Sequence, residues 1–340
     1  MVERKSGMVL NRRTALKFFA LAGGAGMLGL SLPALRGLGL EAVSCSRAML
    51  GTVVNLTVYG RDRDRTQAAL TATLDRMAGL EARLSRFRAD SEVGSLNRTG
   101  LLPAAGEDLL AVLALARKVS EKSSGAFDIT MLPLLRLYGP GEGGDTAPAS
   151  GQLEMARKLV DYRGVLVERG RVSLARAGMG VTLDGIGKGY IVDAAVETLT
   201  RHGFYQVYVE AGGDLLFQGG KPGGEPWRIG IAPPRPGMKG ELTVVSGIRQ
   251  AVATSGDYQN YFSPDYSRHH IIDPRTALSP SQLASATVTA PTAALADALA
   301  TAAMVLGLPG AMDLLAGFPG CRGRFVAKDL TVHQSAGFAA

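Results

Sequence analysis

The apolar positions of this chain change period several times, and each change marks an element. Residues 49–60 alternate and are rich in β-branched side chains, which predicts a strand. Leu70, Leu74, Met77, Leu80 and Leu84 recur at helical spacing, so 66–84 predicts a helix with one buried face. A second amphipathic helix is predicted over 106–123 and a short one over 152–160. Residues 84–93 form a basic and aromatic loop whose Asp90-Ser91-Glu92 suits a helix cap. Residues 139–150 read as a Gly/Pro-rich surface insertion. A hairpin is predicted for 165–167 and 171–174 around Arg169-Gly170, followed by strands at 205–209, 227–232, 251–254 and 285–290. Residues 292–306 are small and apolar on every side, which predicts a buried helix. Strands and helices alternate irregularly, without an internal repeat. The expected class is α+β, with mixed or antiparallel sheets and packed helices.

At 340 residues the chain is long enough to bury a large core. Its net charge of +7 suggests a nucleic-acid partner until the charge is located. Residues 1–40 hold six basic residues (Arg4, Lys5, Arg12, Arg13, Lys17, Arg36) against Glu3, so they carry +5 of the +7 and leave +2 for the rest. That balance gives no basic stripe on a folded domain, so no nucleic-acid partner is expected. The same forty residues read as an export signal. Asn11-Arg12-Arg13-Thr14-Ala15-Leu16-Lys17 is similar to a twin-arginine pattern, and an uncharged Gly-rich run over 18–32 follows. The expectation is a periplasmic protein, with an uncleaved inner-membrane anchor as the alternative. Any membrane contact would then come through this segment or through a partner. The expected domain spans 45–335. Cys45 and Cys321 are either one disulfide or two inert thiols.

Three stretches carry candidate chemistry. In 181–193 a strand turns through Gly185, Gly187 and Gly189 into a helix, which presents free N–H groups to phosphate, and Lys188 adds a charge. Its spacing matches neither common nucleotide-binding glycine motif. In 251–276 a buried strand breaks at Ser255-Gly256-Asp257 and ends in His269-His270-Ile271-Ile272-Asp273-Pro274. Asp297 and Thr301, four apart, share one helix face. They are either ligands for a hard cation such as Mg²⁺ or a solvated acid beside a backbone-bonded hydroxyl. The apolar surroundings favour a ligand role, because a buried Asp needs a partner or a metal. Gly125 and Asp128 are either a helix-ending turn or a binding turn, and Gly212-Gly213 reads as a tight turn or bulge.

The ordered set resembles the ApbE family of FAD:protein FMN transferases. It comprises Leu50-Gly51-Thr52, Leu84 to Phe87 with Ser91-Glu92 and Leu96-Asn97, and Gly125 to Thr130. It continues through Ile186 to Tyr190 with Asp193, Ala211 to Asp214, Ala253 to Tyr258, His270 to Thr276 and Ala296 to Thr301. The resemblance implies an FAD cleft between two subdomains. It also implies Mg²⁺ held by Asp297, Thr301 and the Gly185 carbonyl, with His270 as the base. Contacts to FAD are implied for Leu50, Phe87, Ala126, Phe127, Asp128, Asp184, Lys188, Ser255 and Ile272. FMN would pass from FAD to a Thr or Ser hydroxyl of an acceptor, a flavoprotein or a membrane electron-transfer subunit, and AMP would leave. A link to nitrous-oxide reductase maturation is one such setting. An FAD pyrophosphatase and a non-enzymatic flavin carrier are the alternatives. The sequence departs from the family pattern at Leu50, where methionine is usual, and at Thr182, where the acid is shifted to Asp184. It departs again at Ala277, where glycine is usual.

Overall fold

The computed structural model describes residues 39–138, 148–238 and 243–338, so the export-signal reading and most of the 139–150 insertion lie outside it. In chain order the strands are β1 (Glu41–Met49), β2 (Thr52–Gly60), β3 (Leu101–Leu102), β4 (Val165–Glu168), β5 (Arg171–Leu174), β6 (Val207–Ala211) and β7 (Asp214–Gln218). They continue as β8 (Trp227–Ile231), β9 (Thr243–Gly247), β10 (Gln250–Gly256), β11 (Leu283–Ala290), β12 (Arg322–Ala327) and β13 (Val332–Gln334). The helices are α1 (Arg63–Leu84), α2 (Glu92–Thr99), α3 (Glu107–Lys122), α4 (Leu132–Leu137), α5 (Ser150–Arg157), α6 (Gly187–Arg201) and α7 (Ala293–Ala316).

Eight strands form one sheet in the order β1-β2-β6-β7-β10-β11-β12-β13. Every pairing among the described strands is antiparallel, which resolves the mixed-or-antiparallel expectation. Small sheets β3-β5-β4 and β8-β9 flank it. Helices α6 and α7 pack on one face of the large sheet, and α7 lies against β10 and β11. There Ala251, Ala253, Ala286, Val288, Ala296, Ala300 and Ala303 are all buried. Small side chains let helix and strand backbones approach closely, and this is why 292–306 is alanine-rich. By length and hydropathy α7 also matches a membrane span, but most of it is buried inside this core.

The first described strand, β1, pairs along its whole length with β2 across a turn at Leu50-Gly51, so the expected strand over 49–60 is the second arm of a hairpin. Of the other boundaries that moved, two have a plain local reason. Strand β6 begins two residues later than expected, because Phe204 N still bonds Leu199 O and closes the end of α6. Helix α7 runs past the expected end at 306 through a kink at Gly307 (φ 70°), a conformation glycine adopts freely. Cys45, on β1, and the buried Cys321 are free thiols.

Candidate active site

The glycine-rich turn is placed by close packing. A Cβ at Gly189 would meet Ala293 O at 2.3 Å, so only glycine lets α6 and α7 cross here. Asp193, one turn further along α6, accepts from Ala293 N (2.7 Å) and Ala294 N (2.9 Å) and so caps the start of α7. Burial outweighs these bonds and pushes its carboxyl up to about 6. This crossing brings Asp297 and Thr301 to the turn. Asp297 is buried, and among the described residues its Oδ2 accepts only from Gly189 N, at 3.2 Å. Thr301 Oγ1 lies 3.3 Å from Ser255 Oγ and 3.0 Å from where a Cβ on Gly185 would stand. Asp297, Thr301, Ser255 and Gly185 are therefore brought together.

The charges at this point are unbalanced. Lys188 pairs with the buried Asp214, one residue beyond the Gly212-Gly213 turn of the β6–β7 hairpin. Burial opposes the ammonium charge, but Asp214, Asp297 and Asp184 together raise its pKa. Burial raises Asp214, and Lys188 offsets only part of that. Asp297 is pushed up to about 7, by burial first and by Asp214 second, with Lys188 opposing. A buried carboxylate with one long hydrogen bond, beside a hydroxyl and a backbone turn, is an all-oxygen set suited to a hard divalent cation. Among the described residues no cluster of three or more His, Cys, Asp or Glu forms such a site, so any cation here relies on hydroxyl and carbonyl oxygens.

The opposite wall is the 257–280 loop. Its two histidines differ sharply. His269 is fully buried, with Nε2 3.1 Å from Pro280 O and Nδ1 unpartnered, and burial lowers it to about 4. His270 is half-buried, with Nδ1 3.2 Å from Asn260 O. Burial lowers its pKa first; Lys188 also lowers it, while Asp184 acts in the opposite sense. His270 therefore lies within electrostatic reach of Lys188 and Asp184 of the glycine-rich turn. The loop is held by Asp257, which has no exposed surface. Its carboxylate takes a two-pronged bond from Arg235 (2.7 Å each) and an ion pair from Lys328, which also donates to Tyr266 O at 2.7 Å. Sequence reasoning missed Arg235 and Lys328, which lie outside every motif. It also read Gly212-Gly213 only as a turn and missed Asp214 as the partner of Lys188.

The expected FAD contacts lie in different surroundings. Phe87 is 78% exposed, with the Arg86 guanidinium 4.0 Å over its ring, and is free to stack. Asp184, half-exposed, is paired to Arg86 Nε at 2.8 Å, so it stands at the mouth beside Phe87. Phe127 and Ala126 are instead buried in the core, and the Phe127 ring lies under Gly185. It offers no stacking face and supports the turn from below. Asp128 accepts from Thr130 N, Thr130 Oγ1 and Tyr162 N, so its carboxylate closes a turn rather than facing a ligand. Ile272 is buried with Met131, Leu134, Ala156 and Ala277, which leaves only its backbone for a ligand. Leu50 sits at the tip of the β1–β2 hairpin with φ 57°, and its N–H bonds Glu81 Oε1 at 2.9 Å. At the shifted acid, the Thr182 hydroxyl accepts from Asp184 N at 3.2 Å and helps set the turn.

An antiparallel sheet backed by two crossed helices, with a buried acid at a glycine turn, is the architecture of an α+β protein of the ApbE type. The ApbE family model matches residues 50–324, and the chain belongs to this family. It is 33% identical over 314 residues to the FAD:protein FMN transferase of Treponema pallidum, covering 86% of this chain and 87% of that one. It is 31% identical to the enzyme of the same name from Vibrio cholerae, covering 78% and 82%. Among solved structures, the Vibrio cholerae flavin transferase ApbE superposes with a TM-score of 0.77 at 28% identity, covering 88% of this chain and 98% of that one. The Pseudomonas stutzeri flavinyl transferase ApbE, in apo form, superposes at 0.75 and 28%, covering 87% and 96%.

Proposed function

We propose that this protein transfers FMN from FAD to a threonine or serine hydroxyl of an acceptor protein, releasing AMP. The observation that carries the reading is an under-bonded buried acid, Asp297, at a glycine-rich turn whose Lys188 and Asp184 act on the half-buried His270, in a chain of the ApbE family. The acceptor oxygen forms a bond to the FMN-side phosphorus, and the bond from that phosphorus to the AMP oxygen breaks. His270 Nε2 takes the hydroxyl proton. Lowered by burial, this imidazole is neutral at pH 7 and able to accept it. Lys188 and the N–H groups at the start of α6 face the diphosphate charge. Asp297, Thr301 and the Gly185 carbonyl would hold Mg²⁺, which when bound would neutralise charge on the diphosphate and the departing AMP. Phe87 and Leu50 would flank the ring systems.

The test incubates purified protein with FAD, Mg²⁺ and candidate acceptor domains and weighs the acceptors by mass spectrometry. Addition of FMN to an acceptor is expected. Free FMN and AMP without any adduct would instead identify an FAD pyrophosphatase; bound FAD with neither product would identify a carrier. The same reading places the protein in the periplasm after twin-arginine export. Replacing Arg12 and Arg13 by lysine should leave it in the cytoplasm on cell fractionation.

A further inference from the structure

The face of the large sheet away from α7 changes character along its width. Near β6 and β7 it is apolar, where Leu215, Phe217 and Val252 meet Trp227, Ile231 and Val245 of the β8–β9 hairpin. Toward β11 and β12 it becomes polar. The register sets Thr254, Thr287, Arg324 and Gln334 in one row, with Thr289 paired to Arg322 on the same face. The Thr254 and Thr287 hydroxyls are 2.8 Å apart. Arg324 is only 8% exposed, yet no hydrogen bond or ion pair joins it to any described residue, and its Nε is enclosed without an acceptor. Burial alone acts on its charge and lowers its pKa, and no carboxylate offsets it. The other enclosed cations are matched: Arg235 and Lys328 by Asp257, and Lys188 by Asp214. A guanidinium keeps its charge when buried, so an unpaired one is costly unless a ligand supplies the missing acceptors.

We infer that this row is a binding site for a phosphate dianion. Arg324 supplies a planar donor fork, Arg322 a second positive charge, and Thr287 and Thr289 hydroxyl donors. The site lies on the opposite sheet face from Ser255 and Thr301, so it is separate from the proposed FAD cleft. Its ligand is either free inorganic phosphate or the phosphate of a nucleotide.

The experiment follows thermal unfolding and calorimetric binding in metal-free buffer. Inorganic phosphate and AMP are the two probes, and acetate at equal ionic strength is the salt control. Phosphate at roughly a hundred times its Kd should raise Tm by about 5 °C. The shift should persist in Asp297→Ala, whose proposed FAD cleft is altered, and vanish in Arg324→Met, which should keep full FMN transfer in phosphate-free buffer. Of the response that is lost in Arg324→Met, a larger share with AMP than with phosphate assigns the nucleotide source, and the reverse assigns the free ion. Should Arg324→Met not fold, Thr289→Val is expected to weaken phosphate binding about tenfold. No shift in the native protein, an equal shift with acetate, an undiminished shift in Arg324→Met, or unchanged affinity in Thr289→Val would each overturn the assignment.

Discussion

The two walls of the candidate site treat their carboxylates in opposite ways. On the α6–α7 wall, Asp297 is buried with a single 3.2 Å hydrogen bond and is further destabilised by Asp214. On the loop wall every buried acid is satisfied: Asp257 by Arg235 and Lys328, and Asp273 by Arg275 with bonds of 2.8 and 2.9 Å. Unsatisfied charge on one wall is a place for a cation to bind. Satisfied charge on the other is scaffolding, and in the proposed reaction His270 is the group on that wall that takes the proton. Asp257 therefore belongs to the frame, although it stands among the motif residues.

The contrast can be broken at several points. The largest effect is expected at His270: His270→Ala should lower kcat about 10²–10⁴-fold with Tm nearly unchanged. His269→Ala should mainly lower Tm, because that ring is core. Equal kinetic losses in the two variants would dissolve the distinction between them. Asp297→Asn should reduce transfer more than about a hundredfold, with Mg²⁺ affinity falling in parallel by calorimetry. Retained Mg²⁺ affinity would remove Asp297 from the metal set.

On the frame side, Asp257→Asn leaves Arg235 and Lys328 without their partner and should cost about 3 kcal/mol in denaturant unfolding. A loss under about 1 kcal/mol would show that the clamp is not scaffolding. A pH series sharpens the same point. Asp297 is raised from 3.8 to about 7, so its contribution is fully present at low pH and is lost as pH rises through that window. Asp193, raised to about 6, acts in the same sense at lower pH. His269, lowered from 6.5 to about 4, acts in the opposite sense between those values. Just above pH 6.5 the contributions of His269 and Asp193 are largely complete, and the difference between native protein and Asp297→Asn reports Asp297. Metal-free protein should lose up to about 1.4 kcal/mol per pH unit there, and Asp297→Asn should not. The smallest effect is expected at Ala277, which holds φ 61° yet is buried. In Ala277→Gly, relief of about 1 kcal/mol of backbone strain is offset by about 0.8 kcal/mol of lost methyl burial. A near-neutral Tm is expected; a large gain would mean that the methyl packs poorly.

Much of this fold was readable residue by residue. The period of Leu70, Leu74, Met77, Leu80 and Leu84 produced α1, and Ser91 caps α2 by accepting from Gly94 N at 2.7 Å. Asp297 and Thr301 were readable as a pair because four residues make one helical turn. The burial of Phe127 and Ile272 and the turn-closing bonds of Asp128 were not readable, because a motif records which residues lie near a site, not which way their side chains point. Arg235 and Lys328 carried no local signal at all. They meet Asp257 only after the hairpin and the end of β12 fold over the loop.

By itself the sequence determined the longer helices, several of the strands, the family and the residue types gathered in its motifs, because periodicity, capping and glycine turns are local. Tertiary structure decided the division of labour. Which histidine is fully buried and which carboxylates are paired depend on burial and charge contacts between distant segments. Those contacts exist only once α7 and the 257–280 loop are packed against the sheet.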